Sequence, residues 1–195
     1  MNYQALEKKT LTILSQGLPK TLTYHDLRHT LDVLEAAQRI GKAEGVGKEE
    51  MKLLKTAALL HDIGFTDGYE EHETKGCHIA RNMLPDFGYG QKEIEAICGM
   101  IMATKVPQKP QSHLEQIICD ADLDYLGRSD YWQIADRLYT EFHTHGIIRD
   151  DRRRVGGRGH HRRAARRRDR ARAPARDRPG IARTVAGHGR VDGDA

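Results

Sequence analysis

Three cysteines, Cys77, Cys98 and Cys119, are all that the 195-residue chain contains. They are too few and too far apart for a disulfide scaffold or a thiolate zinc site, so a reducing cytoplasm is the expected setting. Long hydrophobic runs are also missing. Thr56-Ala57-Ala58-Leu59-Leu60 is typical of the longest, far short of the roughly 18 apolar residues of a membrane span. The opening MNYQALEKKT has no basic segment followed by an apolar one, so no secretory signal is expected. What remains is 38% hydrophobic and 31% charged. That is lean but sufficient for a sizeable core, and the length suits one domain or one domain plus a tail.

The net charge of +4 is an average of two unlike parts. Residues 151–195 hold 15 Arg and 5 Asp with no Lys or Glu, a net +10, which leaves the first 150 residues at −6. The last part also lacks Leu, aromatic residues, Ser, Asn, Gln, Met and Cys. Without an apolar period it cannot bury enough surface to offset the entropy of ordering, so a disordered tail is expected. Two origins compete. An Arg-rich arm would bind nucleic acid through phosphates. Alternatively, Arg, Ala, Gly and Pro all have GC-rich codons, and a GC-rich gene read out of frame yields this mixture. The abrupt change near Asp150, and a body with 11 Lys against 6 Arg, favour the second.

The body reads as all helical. Helices are expected over Ala5–Ser15, Asp26–Ala43, Lys48–Ile63, Glu73–Leu84, Gln91–Ala103, His113–Leu126 and Asp130–His145. Leu27, Leu31, Leu34, Ala37 and Ile40 would form the apolar face of the second. Met51, Leu54, Ala57, Ala58 and Leu60 would do so for the third. No segment alternates like a strand over more than about four residues. The expected organisation is an N-terminal helix and linker over 1–22, a helical domain over 23–150, and the basic tail.

Three segments carry chemistry. In Leu59-Leu60-His61-Asp62-Ile63-Gly64-Phe65, a histidine and an aspartate end a helix that is otherwise apolar all round. His61 shares the stripe of Leu54, Ala57 and Ala58. A buried carboxylate must be paired or bind a metal, so both a core His–Asp hydrogen bond and a metal ligand fit Asp62. Tyr24-His25-Asp26-Leu27-Arg28-His29 sets His25 and His29 at i and i+4, on one helix face, a spacing for two imidazoles in one metal or substrate pocket. In Cys119-Asp120-Ala121-Asp122-Leu123-Asp124-Tyr125 three aspartates alternate on a helix. Asp122 lies nearest the apolar stripe, and Asp120 points to solvent. His29, His61, Asp62 and Asp122 thus stand beside buried faces of three helices. Two imidazoles and two carboxylates suit Mn²⁺, Fe²⁺, Co²⁺, Ni²⁺ or Zn²⁺.

The order His29, His61-Asp62, Asp122 resembles the H…HD…D pattern of the HD-domain metal-dependent phosphohydrolases. YHDLRHT, TAALLHDIGF and ICDADLDYLGR resemble the family's usual surroundings. The match runs from about Thr23 to Gly127. The resemblance implies a compact helical bundle in which those four residues hold one divalent metal (Mn, Fe, Co, Ni, Zn or Mg), and a metal-bound water attacks phosphorus. Asp62 would also orient the water or accept a proton. The implied substrate is a nucleotide or another small phosphorylated molecule. His25, His72, Glu73, Lys105 and Arg128 are candidates for the substrate pocket, Lys105 and Arg128 as phosphate-binding cations. Bland roles stand beside these: helix N-terminal polarity for Glu73, a solvated loop lysine for Lys105, a pair with Asp124 for Arg128. His72 and His78 are six residues apart and do not share a helix face, which disfavours a second metal. The HHE and GYP elements of the cyclic-di-GMP-degrading branch are absent. Removal of pyrophosphate from alarmones, a degenerate bundle serving as sensor or interaction module, and nucleic-acid binding through the tail are the alternatives.

Family members of this type continue with a further helix carrying aromatic and Leu residues, where this chain has DRRRVGGRGHHRR. Loss of that helix would expose an apolar groove without touching the four ligand positions. Replacing the segment with an amphipathic helix should raise soluble yield on expression. Equal yields of the two versions would show that no groove was left open.

Overall fold

Four helix starts in this chain are fixed by local chemistry. Asn2 accepts a hydrogen bond from the Ala5 amide, and Asp26 accepts from the amides of Arg28 and His29. Ser112 and Glu115 satisfy each other's amides in a capping box, and Glu93 accepts from the Gly90 amide. Each satisfies amides that the first turn of a helix leaves unpaired. The computed structural model describes residues 1–148. Their order is α1 (Tyr3–Gly17), α2 (Leu27–Ala43), α3 (Lys48–Leu60), α4 (His72–Met83), α5 (Gln91–Ala103), α6 (His113–Asp122) and α7 (Tyr131–Thr144). Short 3₁₀ turns follow α3, α4 and α6, over Ile63–Asp67, Leu84–Phe87 and Asp124–Gly127. There is no strand among the described residues, and no helix among them is long and apolar enough to cross a membrane. The Arg-rich segment from 151 onward, read above as a disordered tail, lies outside the described residues.

The described residues fold as the all-α bundle expected. α3 is its axis: Leu54 and Ala57 through Leu60 are fully buried, and α1, α2 and α5 pack around it. α2 also packs on α6, and α4 on α5. Leu6 and Leu14 bring α1 into the same core. All three cysteines are buried and free.

Four helix readings change. Leu34 and Ala37 of the expected face of α2 are buried and Leu27 and Ile40 pack against the core, but Leu31 is 42% exposed, and the buried stripe takes in His29, Val33 and Ala36 as well. α2 turns that side towards α3 and α6, and Leu31 falls on the far side. α3 stops at Leu60, where His61 caps it and the chain tightens into a 3₁₀ turn. α6 stops at Asp122, so Asp124 is not on the same helix as Asp120 and Asp122. It lies in the following turn and accepts from Arg39. His25 precedes the N-cap of α2, so His25 and His29 do not share a helix face.

Gly64 lets the turn after α3 lie against the start of α4. A Cβ there would stand 1.8 Å from the His72 carbonyl oxygen and 2.7 Å from the Gly76 nitrogen. Both obstacles are backbone and cannot swing aside. Gly64→Ala should therefore cost about 3 kcal/mol, at the upper end of overpacking penalties. Urea denaturation of the two proteins measures it. An unchanged midpoint would mean that the α3–α4 junction is not held this closely.

Candidate metal centre

The residues around the end of α3 are brought together from three elements, α2, the end of α3 itself and α6. His61, just past α3, donates from Nδ1 to the Ala58 carbonyl at 2.8 Å. When the ring is neutral, its lone pair is therefore on Nε2, and that nitrogen lies 3.2 Å from His29 Nε2. Asp26 fixes the first turn of α2 and so places His29. Asp122, at the end of α6, brings Oδ1 to 3.2 Å from His29 Nε2 and 3.8 Å from His61 Nε2. The ligand atoms of His29, His61 and Asp122 all lie within 4.8 Å of one another. Asp62 Oδ2 reaches 3.1 Å from His61 Nε2 and 3.4 Å from His29 Nε2. That oxygen is buried and has no hydrogen-bond partner. Asp120 is exposed, and Asp122 is partly buried with a side chain 16% accessible, the order read from the helix stripe.

The charges of the cluster balance internally. Burial opposes protonation of His61, but the carboxylate of Asp62, and then that of Asp122, outweigh it and push its pKa up to about 9. Burial likewise opposes ionisation of Asp62, but His61, His25 and His29 hold its carboxyl well below the usual carboxylate range. Thus an imidazolium serves as the counter-charge of Asp62. Two imidazoles and two carboxylates, one of them with a buried oxygen that lacks a hydrogen-bond partner, also suit a divalent cation, which would replace that proton as the positive charge.

A cavity of about 470 Å³ opens beside the cluster, lined by His25, Asp62, His72, Glu73, Lys105 and Asp122 among others. The fold therefore brings four of the five candidate pocket residues to one place. His72 opens α4, stacks on Phe65 at 3.8 Å between ring centres, and sets Nε2 3.6 Å from Asp62 Oδ1. Its burial lowers its pKa, against the pull of Asp62 and Glu73. Glu73 is buried, with Oε1 3.4 Å from His72 Nε2. Lys105 donates to Glu71 at 2.7 Å. Arg128 stands apart. Its guanidinium pairs with Asp130 and with Asp32, not with Asp124, and it does not line this cavity. It borders a separate crevice on the flank of His29 and Asp122.

Sequence reasoning passed over Glu141. This carboxylate of α7 is fully buried and accepts from the amides of Tyr24 and His25, at 2.8 and 3.0 Å. It also pairs with Nδ1 of His25. Burial raises its pKa, but His25 and the two amides outweigh this and leave it low. Its register was a usable signal, since it lies seven residues after buried Ile134 on one helix face. One turn earlier, Arg137 donates to the Thr23 carbonyl and to Asp26. The two side chains clamp residues 23–26 and so hold the entry to α2. Tyr24, buried here, sets its ring 4.5 Å from that of His29.

The comparisons with known proteins bear on this geometry. Residues 26–124, just over half of the chain, match the family model described as HD domain. The chain belongs to the HD-domain family. This HD domain resembles the crystal structure of a predicted HD superfamily hydrolase from an uncultured Thermotogales bacterium, with a TM-score of 0.57 and 22% identity. The likeness covers 75% of this chain and 92% of that one, and it concerns the fold. An uncharacterised protein of Clostridium beijerinckii is 34% identical over 101 residues. That stretch is 50% of this chain and 62% of that protein, so the chain spans under two thirds of that relative's length.

Glu141→Gln keeps the shape and removes the charge. It should cost about 1–3 kcal/mol, the scale of a lost charge-assisted hydrogen bond with its partner left buried. The folded pKa of Glu141 lies below its ordinary value of 4.5. Its contribution is therefore complete above that pH and is lost as pH falls through the folded pKa. Denaturation of parent and variant between neutral pH and acid should show a gap that closes on acidification. A gap independent of pH would exclude the ionised carboxylate as its source.

Proposed function

We propose that the chain is a metal-dependent phosphohydrolase that cleaves a phosphate ester of a nucleotide or another small phosphorylated molecule. The observation that carries this reading is Asp62 Oδ2, a buried oxygen with no hydrogen-bond partner, facing the Nε2 atoms of His29 and His61. His29, His61, Asp62 and Asp122 would hold one divalent ion from the Mn, Fe, Co, Ni, Zn and Mg group. Such an ion, when bound, polarises a phosphoryl oxygen and makes a water acidic enough to attack phosphorus near neutral pH.

The chain's own residues supply the remaining roles. Asp62 Oδ1 faces His72, so this carboxylate can orient a water or take its proton on the cavity side. His25 gives Nδ1 to Glu141, which leaves Nε2 as the nitrogen that can hand a proton to a leaving oxygen in the cavity. Burial opposes the charged form of His25, yet Asp62 and Glu141 raise its pKa and keep that proton available. Lys105, held by Glu71 at the same cavity, is the cation that an incoming phosphate would compete for. Arg128, paired with Asp130 and Asp32, lines the separate crevice beside His29 and Asp122 and not this cavity. Among the described residues, those of the cavity suit a small molecule, and nucleic acid as a partner would depend on the basic segment beyond them.

Elemental analysis of the purified chain beside Asp62→Ala tests the reading. The parent should carry about one equivalent of a transition metal and the variant little. Metal-dependent hydrolysis across a panel of phosphate esters should fall at least about a hundredfold in the variant, the scale of losing one electrostatic group at a reacting centre. Circular dichroism should show helix content retained. Full turnover in Asp62→Ala would remove Asp62 from the site. Metal bound in the parent with no ester cleaved would instead favour a sensor or interaction module.

A further inference from the structure

The cavity has a second wall that the metal cluster does not explain. Tyr69 follows the 3₁₀ turn after α3, Val106 lies between α5 and α6, and Phe142 and Ile147 come from α7 and the residues after it. All four line the cavity. Val106 is 78% exposed and Ile147 is 52% exposed. Neither serves the core, and apolar side chains from three separate segments meet at the mouth of a cleft whose floor is polar. A volume of about 470 Å³ falls within the about 300–1,000 Å³ of pockets that enclose small organic ligands. It exceeds what a phosphate group alone would fill.

Charge narrows the ligand further. The described lining holds five carboxylates, Asp62, Glu70, Glu71, Glu73 and Asp122, against one lysine, Lys105. Glu70 and Glu71 belong to the same stretch of chain as Tyr69, on the wall side. An anionic group beyond the phosphate would meet them with no further Lys or Arg among the described lining residues to offset it.

Resting on the phosphohydrolase reading above, we infer that the site selects monophosphates of an uncharged, apolar, ring-sized organic group, with that group against Tyr69, Val106, Phe142 and Ile147. Calorimetric binding to the Mn²⁺-loaded full chain tests this without turnover, using methylphosphonate, phenylphosphonate and 4-carboxyphenylphosphonate. Phenylphosphonate should bind at least about tenfold tighter than methylphosphonate, as burial of one ring face implies. The 4-carboxylate should lose that gain. Phe142→Ala, and the more exposed and structurally milder Ile147→Ser, should reduce the phenyl preference and leave methylphosphonate affinity unchanged. Equal binding of methyl- and phenylphosphonate, or an undiminished preference in both variants, would overturn the inference and leave the phosphohydrolase reading standing. Failure of all three to bind the loaded protein would overturn both.

Discussion

The carboxylate of Asp62 is the constraint around which this bundle is organised. It sits at the end of the most buried helix, where an unpaired charge would cost more than most single packing contacts return. The fold answers by surrounding it with imidazoles from different parts of the chain: His61 beside it, His29 from α2, His72 from α4 and His25 from the segment before α2. One oxygen still has no hydrogen-bond partner. A polar core left incomplete in this way is unfavourable for stability alone, and the proposed cation would complete it.

The histidines are themselves positioned from a distance. His29 owes its place to the Asp26 cap, and Asp26 is gripped by Arg137. His25 is held by Glu141, one turn further along α7. The last described helix thus contributes little to the aliphatic core, burying only Ile134 and Glu141, yet it fixes the polar side of the cluster. Stability and function are divided between elements here. α1, α3 and α5 supply the apolar mass, and α7 supplies the two charged residues that hold the segment leading into α2.

The cavity shows the same division. Its inner face carries the carboxylates and imidazoles that the cluster requires. Its outer face is apolar and comes from loops and from the end of α7. Under the proposed function the first face would hold the metal and the phosphate, and the second would tell one organic group from another by its own chemistry.

By itself the sequence determined the helical class, the helices to within a few residues, and the residues that form the cluster. These follow from periodicity, caps and buried polar types, which are local properties of the chain. The shared pocket of His25, His72, Glu73 and Lys105 was also within reach, through the resemblance of the surrounding motifs. Only the tertiary structure decided the phase of α2, where Val33 and Ala36 are buried and Leu31 is exposed, because a helix with apolar residues on two sides turns to meet its neighbours. It also decided that Arg128 serves Asp130 and Asp32, and that Glu141 reaches back 116 residues to His25. A charged side chain takes whichever partner the packing brings within hydrogen-bonding distance, and over such separations no pattern in the chain records that partner.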